Sequence, residues 1–146
     1  MINPTIFIIE DDPVYSKVIN LTLSKNGFTS VHTFSSGENA VESLSLKPDF
    51  IILDFSLEGL NGLDTLKVIK QKKTNAQIVV LTSVTNENLA RKCLENGASH
   101  YLEKNDSSMK LILDLLLKIK SKKRNKILMV ALVLVIAGIM AIILLM

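Results

Sequence analysis

The segment Phe50-Ile51-Ile52-Leu53-Asp54 decides the fold. Four consecutive apolar residues suit a strand buried on both faces, as in a parallel sheet covered by helices. Asp54 then stands at the carboxyl end of that strand, where open α/β sheets place their ligands. Three further apolar runs end in reactive residue types. Thr5-Ile6-Phe7-Ile8-Ile9 leads into Glu10-Asp11-Asp12, Ile78-Val79-Val80-Leu81 into Thr82-Ser83, and Tyr101-Leu102-Glu103 into Lys104. Laid side by side and parallel, these strands bring carboxylates, a hydroxyl and an ammonium to one edge.

Between the runs lie helical signals, and strand and helix alternating along a chain predict a parallel sheet with helices on both faces. After the first strand, Pro13 suits a first helical turn. Val14, Val18, Ile19, Leu21 and Leu23 offer an apolar stripe before Asn26-Gly27. A short strand follows over about 29–34, then a helix opened by Ser36-Gly37 and ended by Lys47-Pro48-Asp49. The glycine-bearing loop 55–62 precedes a third helix carrying Leu63, Leu66, Val68 and Ile69. A fourth strand spans 77–82, a fourth helix about 86–96, and a fifth strand about 99–103. Asp106 or Ser107 can cap the fifth helix. Five βα units account for residues 5 to about 120.

Charge is segregated along the 146 residues. Six of the 17 Lys and Arg fall in Lys118, Lys120, Lys122, Lys123, Arg124 and Lys126, leaving 11 in residues 1–117 against all 14 Asp and Glu. The net +3 therefore describes a tail, and it is no nucleic-acid footprint of the folded part. Cys93 stands alone, which excludes an intramolecular disulfide and fits a reducing compartment. His32 and His100 have no partner at ligand spacing and read as strand residues.

Clustered carboxylates repel one another unless a cation sits among them. For Asp11, Asp12 and Asp54, Mg²⁺ fits best, because it takes few carboxylates and leaves positions for phosphate oxygens. Asp54 can then attack a phosphoryl group, with Lys104 and Thr82 meeting the transferred oxygens.

The motifs Ile9-Glu10-Asp11-Asp12, Ile52-Leu53-Asp54, Val80-Leu81-Thr82-Ser83 and Gly97-Ala98-Ser99-His100-Tyr101-Leu102-Glu103-Lys104 resemble, in order and spacing, the receiver domain of two-component response regulators. The resemblance implies a doubly wound, flavodoxin-like α/β sheet of order 2-1-3-4-5. It implies Asp54 as phosphoacceptor, Mg²⁺ held by Asp11, Asp12, Asp54 and the Ser56 backbone carbonyl, Thr82 as switch hydroxyl, Lys104 as phosphate partner and Tyr101 as aromatic switch. The implied donor is a histidine kinase or a histidine phosphotransfer protein. Beyond assisting its own phosphorylation and dephosphorylation, such a domain is no enzyme. Two positions depart from the family pattern, where prolines usually stand: Glu58 in the loop after Asp54, and Asn105 after Lys104. A cis bond before a non-proline residue costs about 2.5–4 kcal/mol. Either the 104–105 bond is trans and Lys104 is aimed differently, or strain is retained.

Ile127 to Met146 gives 20 residues without charge, about 30 Å as a helix, which matches a bilayer's hydrocarbon core. The basic run before it reads as a positive-inside flank. The expected organisation is a receiver over 1–120, a basic juxtamembrane linker over 121–126 and a transmembrane helix over 127–146, with the receiver on the cytoplasmic side of the inner membrane. The fifth helix is apolar on more than one stripe, leaving surface for a partner, another copy or the membrane; the resemblance implies an output and homodimer surface formed by the fourth helix, fifth strand and fifth helix. No DNA-binding or catalytic pattern follows the fifth helix. The leading reading is a membrane-tethered phosphoacceptor acting through protein contacts or draining a relay. The alternative is a membrane-anchored scaffold, rarely phosphorylated. A transcription factor stripped of its DNA-binding half is the least favoured.

Overall fold

The computed structural model describes residues 2–146 and contains five strands and five α-helices in strict alternation. They are β1 (Ile6–Ile9), α1 (Pro13–Lys25), β2 (Val31–Phe34), α2 (Gly37–Glu42), β3 (Phe50–Asp54), α3 (Gly62–Gln71), β4 (Gln77–Thr82), α4 (Glu87–Glu95), β5 (His100–Glu103) and α5 (Asp106–Leu145). All pairings are parallel and the order is β2-β1-β3-β4-β5, as expected. The predicted bounds of β4 hold to the residue. Those of β2 and β5 shorten at their starts, and α2 stops early, giving way to a 3-10 turn over Leu44–Leu46.

The two faces of the sheet carry separate cores, because alternate strand residues point to opposite sides. Phe7, Ile9, Ile51, Leu53, Ile78 and Val80 pack with Leu66, Ile69 and Cys93 under α2, α3 and α4. Ile6, Ile8, Phe50, Ile52, Val79 and Leu81 pack with Ile19, Leu23, Ile112 and Leu116 under α1 and α5. Each of these side chains is essentially fully buried, worth about 1.5–3 kcal/mol for a large aliphatic group.

The stripe expected on α1 is corrected. Ile19 and Leu23 bury, joined by Ser16, whereas Val14, Val18 and Leu21 are at least half exposed. Two apolar rows run along this helix, and the one in phase with Tyr15 faces the sheet.

α5 is a single helix of 40 residues, capped by Asn105 rather than by Asp106 or Ser107. Its first part belongs to the domain: Ile112 and Leu116 are buried, and Met109, Leu113, Leu115 and Ile119 pack partly against them. Most of the extra apolar surface is thereby covered, and Leu117 remains 53% exposed. Residues 121–126, expected as a linker, are helical throughout. Lys123 bonds Asp49 at 2.6 Å and the Lys120 ammonium lies 5.4 Å from the centre of the Phe28 ring, so the helix stays against the domain through the basic run. Residues 127–146 are exposed on every side. This stretch, of mean hydropathy 3.3 over its most apolar window, is a candidate membrane anchor by length and composition.

Candidate functional site

The site lies on the carboxyl edge, where register decides which side chains meet. Ile9 pairs with Leu53 and Leu53 with Val80, so the residues after β1 stand beside the end of β3 and the end of β4. The Phe55 amide donates to the Leu81 carbonyl at 2.8 Å, and the Lys104 amide to the Thr82 carbonyl at 2.8 Å, carrying strand pairing up to the functional residues.

Asp54 is 3% exposed. Lys104, reaching across from the end of β5, sets its ammonium 2.7 Å from Glu10 Oε2 and 3.2 Å from Asp54 Oδ1. The second contact is an ion pair, and the buried Asp54 Oδ1 has no other polar partner. The same ammonium lies 4.6 Å from the centre of the Tyr15 ring, which roofs it from α1. Burial would lower the Lys104 pKa, but the Glu10 hydrogen bond and the Asp54 and Glu10 charges outweigh it and raise it. Burial pushes the Glu10 carboxyl up, and the Asp54 charge adds to this against the pull of Lys104. Burial also raises the Tyr15 hydroxyl.

Glu10, Asp11 and Asp54 each offer a carboxylate oxygen, all within 4.8 Å of one another. Asp12 is not of this group. Its Oδ1 accepts from the amides of Val14 at 2.8 Å and Tyr15 at 3.3 Å, capping α1. The carboxylates that converge with Asp54 are thus Glu10 and Asp11, whereas the expected pair was Asp11 and Asp12. The signal for this was in the sequence: Pro13 at the first helical position makes Asp12 the N-cap, whose carboxylate the free backbone amides take.

Three carboxylates facing one ammonium leave two negative charges in excess. With Asp54 buried among them, that donor set fits a hard divalent cation. Asp11 also accepts from the Glu58 amide at 3.2 Å, which folds the loop after β3 back over the cluster. Ser56 is exposed in this loop, two residues beyond Asp54. The loop closes on Gly62, whose amide donates to the Phe55 carbonyl at 3.0 Å. A Cβ at position 62 would lie 2.6 Å from Phe55 Cα and 2.5 Å from the Asp54 carbonyl oxygen, so the backbone passes there only as glycine.

The two switch candidates share an acceptor that the sequence did not announce. Thr82 Oγ1 donates to the Val84 carbonyl at 2.9 Å, and the Tyr101 hydroxyl reaches the same carbonyl at 3.4 Å. Tyr101 also stacks edge-on against Phe55, ring centres 6.0 Å apart. Thr82 is therefore turned toward its own loop. The Lys104–Asn105 bond is trans, and Lys104 still reaches both carboxylates. Of the histidines, His32 packs edge-on to Phe7 and His100 contacts Ser99.

Comparison with known proteins agrees with this fold. The chain is 35% identical over 102 residues to the nitrate/nitrite response regulator protein NarL of Escherichia coli K12, covering 68% of this chain and 47% of NarL. It is 32% identical over 124 residues to a cyclic di-GMP phosphodiesterase of Thermotoga maritima, covering 84% of this chain and 32% of that protein. The chain thus spans about a third to about half of the length of these relatives. Among solved structures, the Vibrio cholerae chemotaxis protein CheY4 shares the fold with a TM-score of 0.72 at 20% identity, over 79% of this chain and 99% of that one. A Burkholderia pseudomallei response regulator, solved with a phosphorylated aspartic acid and a calcium ion, shares it with a TM-score of 0.70 at 23% identity, over 85% and 72%. The family model for the response regulator receiver domain matches residues 6–116, and the chain belongs to that family.

Proposed function

We propose that the chain is a phosphoacceptor of a two-component relay, taking a phosphoryl group on Asp54 while tethered to a membrane by residues 127–146. The observation that carries this reading is the buried Asp54 carboxylate, with the Lys104 ammonium 3.2 Å from Oδ1 on one side and the Glu10 and Asp11 carboxylates within 4.8 Å on the other. Glu10, Asp11 and Asp54, with the Ser56 carbonyl, would hold Mg²⁺, which neutralises charge on the transferred oxygens when bound. An Asp54 oxygen attacks phosphorus, and the bond from phosphorus to a donor histidine breaks. Lys104 meets the incoming charge without changing strands, because its ammonium already touches the acceptor. The Thr82 hydroxyl leaves the Val84 carbonyl to donate to the phosphoryl group. Tyr101, bound to the same carbonyl, is then free to move with the loop after β4.

The donor on this reading is a histidine kinase or a histidine phosphotransfer protein, and the output is a protein contact rather than nucleic acid. A homodimer through α4, β5 and α5 remains part of the proposal, with Leu117 as exposed apolar surface on the fifth helix. The basic run from Lys118 to Lys126 keeps the receiver on the cytoplasmic side of the span. A second reading, a membrane-anchored scaffold rarely phosphorylated, draws on the Glu58 amide that already occupies an oxygen of Asp11.

The test uses the full chain in lipid nanodiscs with Mg²⁺ and acetyl phosphate, scored by intact mass. One added phosphoryl group in the native chain and none in Asp54→Asn is the expected result. No addition to a folded chain that binds Mg²⁺ would favour the scaffold.

A further inference from the structure

The two edges of the sheet carry opposite charge. Ten of the 14 Asp and Glu residues stand at the carboxyl edge, on strand ends, on the loops after them or in the first turn of the next helix. The amino edge is lined instead by exposed lysines that end the preceding elements: Lys25 in the last turn of α1, Lys47 after the 3-10 turn, and Lys72 and Lys73 after α3. Two clefts there share Pro48, Asp49 and Asn75. One is lined by Lys47, Lys72 and Lys73, the other by Lys122, Lys123 and Lys126 of α5. The basic run of α5 and the basic loops of the domain thus form one continuous surface. Of the carboxylates at this edge, Asp49 is taken by Lys123 and by the Thr5 amide, leaving Glu42 and Glu95 at the ends of α2 and α4.

Backbone geometry also singles these lysines out. Lys47 and Lys73 are the non-glycine residues with positive φ among the described residues, at 53° and 54°. Glycine or asparagine would sit there with less strain. Both lysines are exposed.

The helix fixes where this surface goes. Lys123 is bonded to Asp49, and the apolar stretch begins four residues later at Ile127. At 1.5 Å per residue that is about 6 Å along the axis. The headgroup layer on each side of a bilayer is about 5–8 Å deep. With α5 unbroken, the amino edge has no slack to stand clear of that layer. Asp106, at the other end of the domain part of α5, lies 21 residues before Ile127, about 31 Å along the helix.

We infer that the amino edge of the receiver, formed by Lys25, Lys47, Lys72 and Lys73 with Lys122, Lys123 and Lys126 of α5, docks on anionic lipid headgroups around the span. It holds the carboxyl edge, with Asp54, turned away from the bilayer. The inference rests on the reading that residues 127–146 cross a membrane. It adds that the domain itself is a lipid-binding body of fixed orientation, not a module on a loose tether.

Acetylation of the full native chain tests it. The chain is reconstituted in vesicles of phosphatidylcholine alone, or of phosphatidylcholine with phosphatidylglycerol, and treated with a membrane-impermeant acetylating reagent. Peptide mass spectrometry then reads each lysine. Lys47, Lys72 and Lys73 are expected to react about fivefold more slowly on the anionic vesicles, the factor equivalent to about 1 kcal/mol per basic residue at such a surface. Lys17 and Lys92, exposed on α1 and α4, are expected to react equally on both. In 1 M salt, where the screening length falls to about 3 Å, the protection should vanish. Equal rates on both vesicles, for a chain that floats with both, would overturn the docking and leave the span standing. Protection by added duplex DNA but not by phosphatidylglycerol would overturn it in favour of another polyanion. A chain that floats with neither vesicle would overturn the span and the docking together.

Discussion

The carboxyl and amino edges of this sheet are built from the same short connections, yet they differ in what holds their polar groups. At the carboxyl edge three buried or half-buried carboxylates converge on one point with Lys104 as the one ammonium among them, and burial pushes the Glu10 carboxyl up. At the amino edge charges are spread and exposed, and the one carboxylate that is pinned, Asp49, is satisfied twice. Convergent buried carboxylates mark the edge that does chemistry. The amino edge, with its charges spread, serves position.

Substitutions can break or sharpen that contrast. Asp54→Asn has the largest expected effect, abolishing phosphoryl uptake, and it should leave the thermal midpoint unchanged or raised because it relieves carboxylate crowding. A marked fall in the midpoint would mean that Asp54 is structural, and the contrast would fail. Gly62→Ala comes next. Its methyl meets backbone rather than a movable side chain, so a loss of about 1–3 kcal/mol is expected in denaturant unfolding, together with slower phosphorylation.

Asp12→Ala separates cap from ligand. It should cost about 1 kcal/mol of stability and leave Mg²⁺ affinity, measured by calorimetric titration, close to native. Glu10→Gln should do the reverse, weakening Mg²⁺ with little loss of stability. If Asp12→Ala instead removed Mg²⁺ binding, the carboxylate set drawn from the geometry would be wrong. The smallest effect belongs to the amino edge. Asp49→Asn breaks a partly exposed pair with Lys123, worth less than about 1 kcal/mol. Its phosphorylation rate should be native.

Much of this was legible in the sequence. The ends of β3 and β4 followed from apolar runs with sharp polar boundaries, because a doubly covered strand needs every residue apolar, whereas the strand order came from the resemblance to receiver domains. Asp54, Thr82 and Lys104 were found as strand-end residues. The phase of α1 was not legible, because Val14, Val18 and Leu21 are as periodic as Ile19 and Leu23. Only the docking of Tyr15 over Lys104 and of Ile19 on the sheet chooses between the rows. Among the three consecutive acids, residue type could not separate the cap from the carboxylates that converge on Asp54, although Pro13 held the clue. The Val84 carbonyl as common acceptor of Thr82 and Tyr101 is a backbone feature, invisible to any reading of side chains. Residues 121–126 carried a charge signal that suggested a boundary. Helix propensity of Lys and Arg is high, however, and packing at Asp49 and Phe28 holds the turn in register.

The most direct test of the phosphoacceptor claim is chemical mapping of the modified residue. After treatment with acetyl phosphate and Mg²⁺, the full chain is reduced with borohydride, which converts an aspartyl phosphate to homoserine, and its peptides are sequenced by mass spectrometry. Homoserine at position 54 alone is the predicted result. Homoserine at position 11 or 12, or at no position in a chain that binds Mg²⁺, would contradict the account.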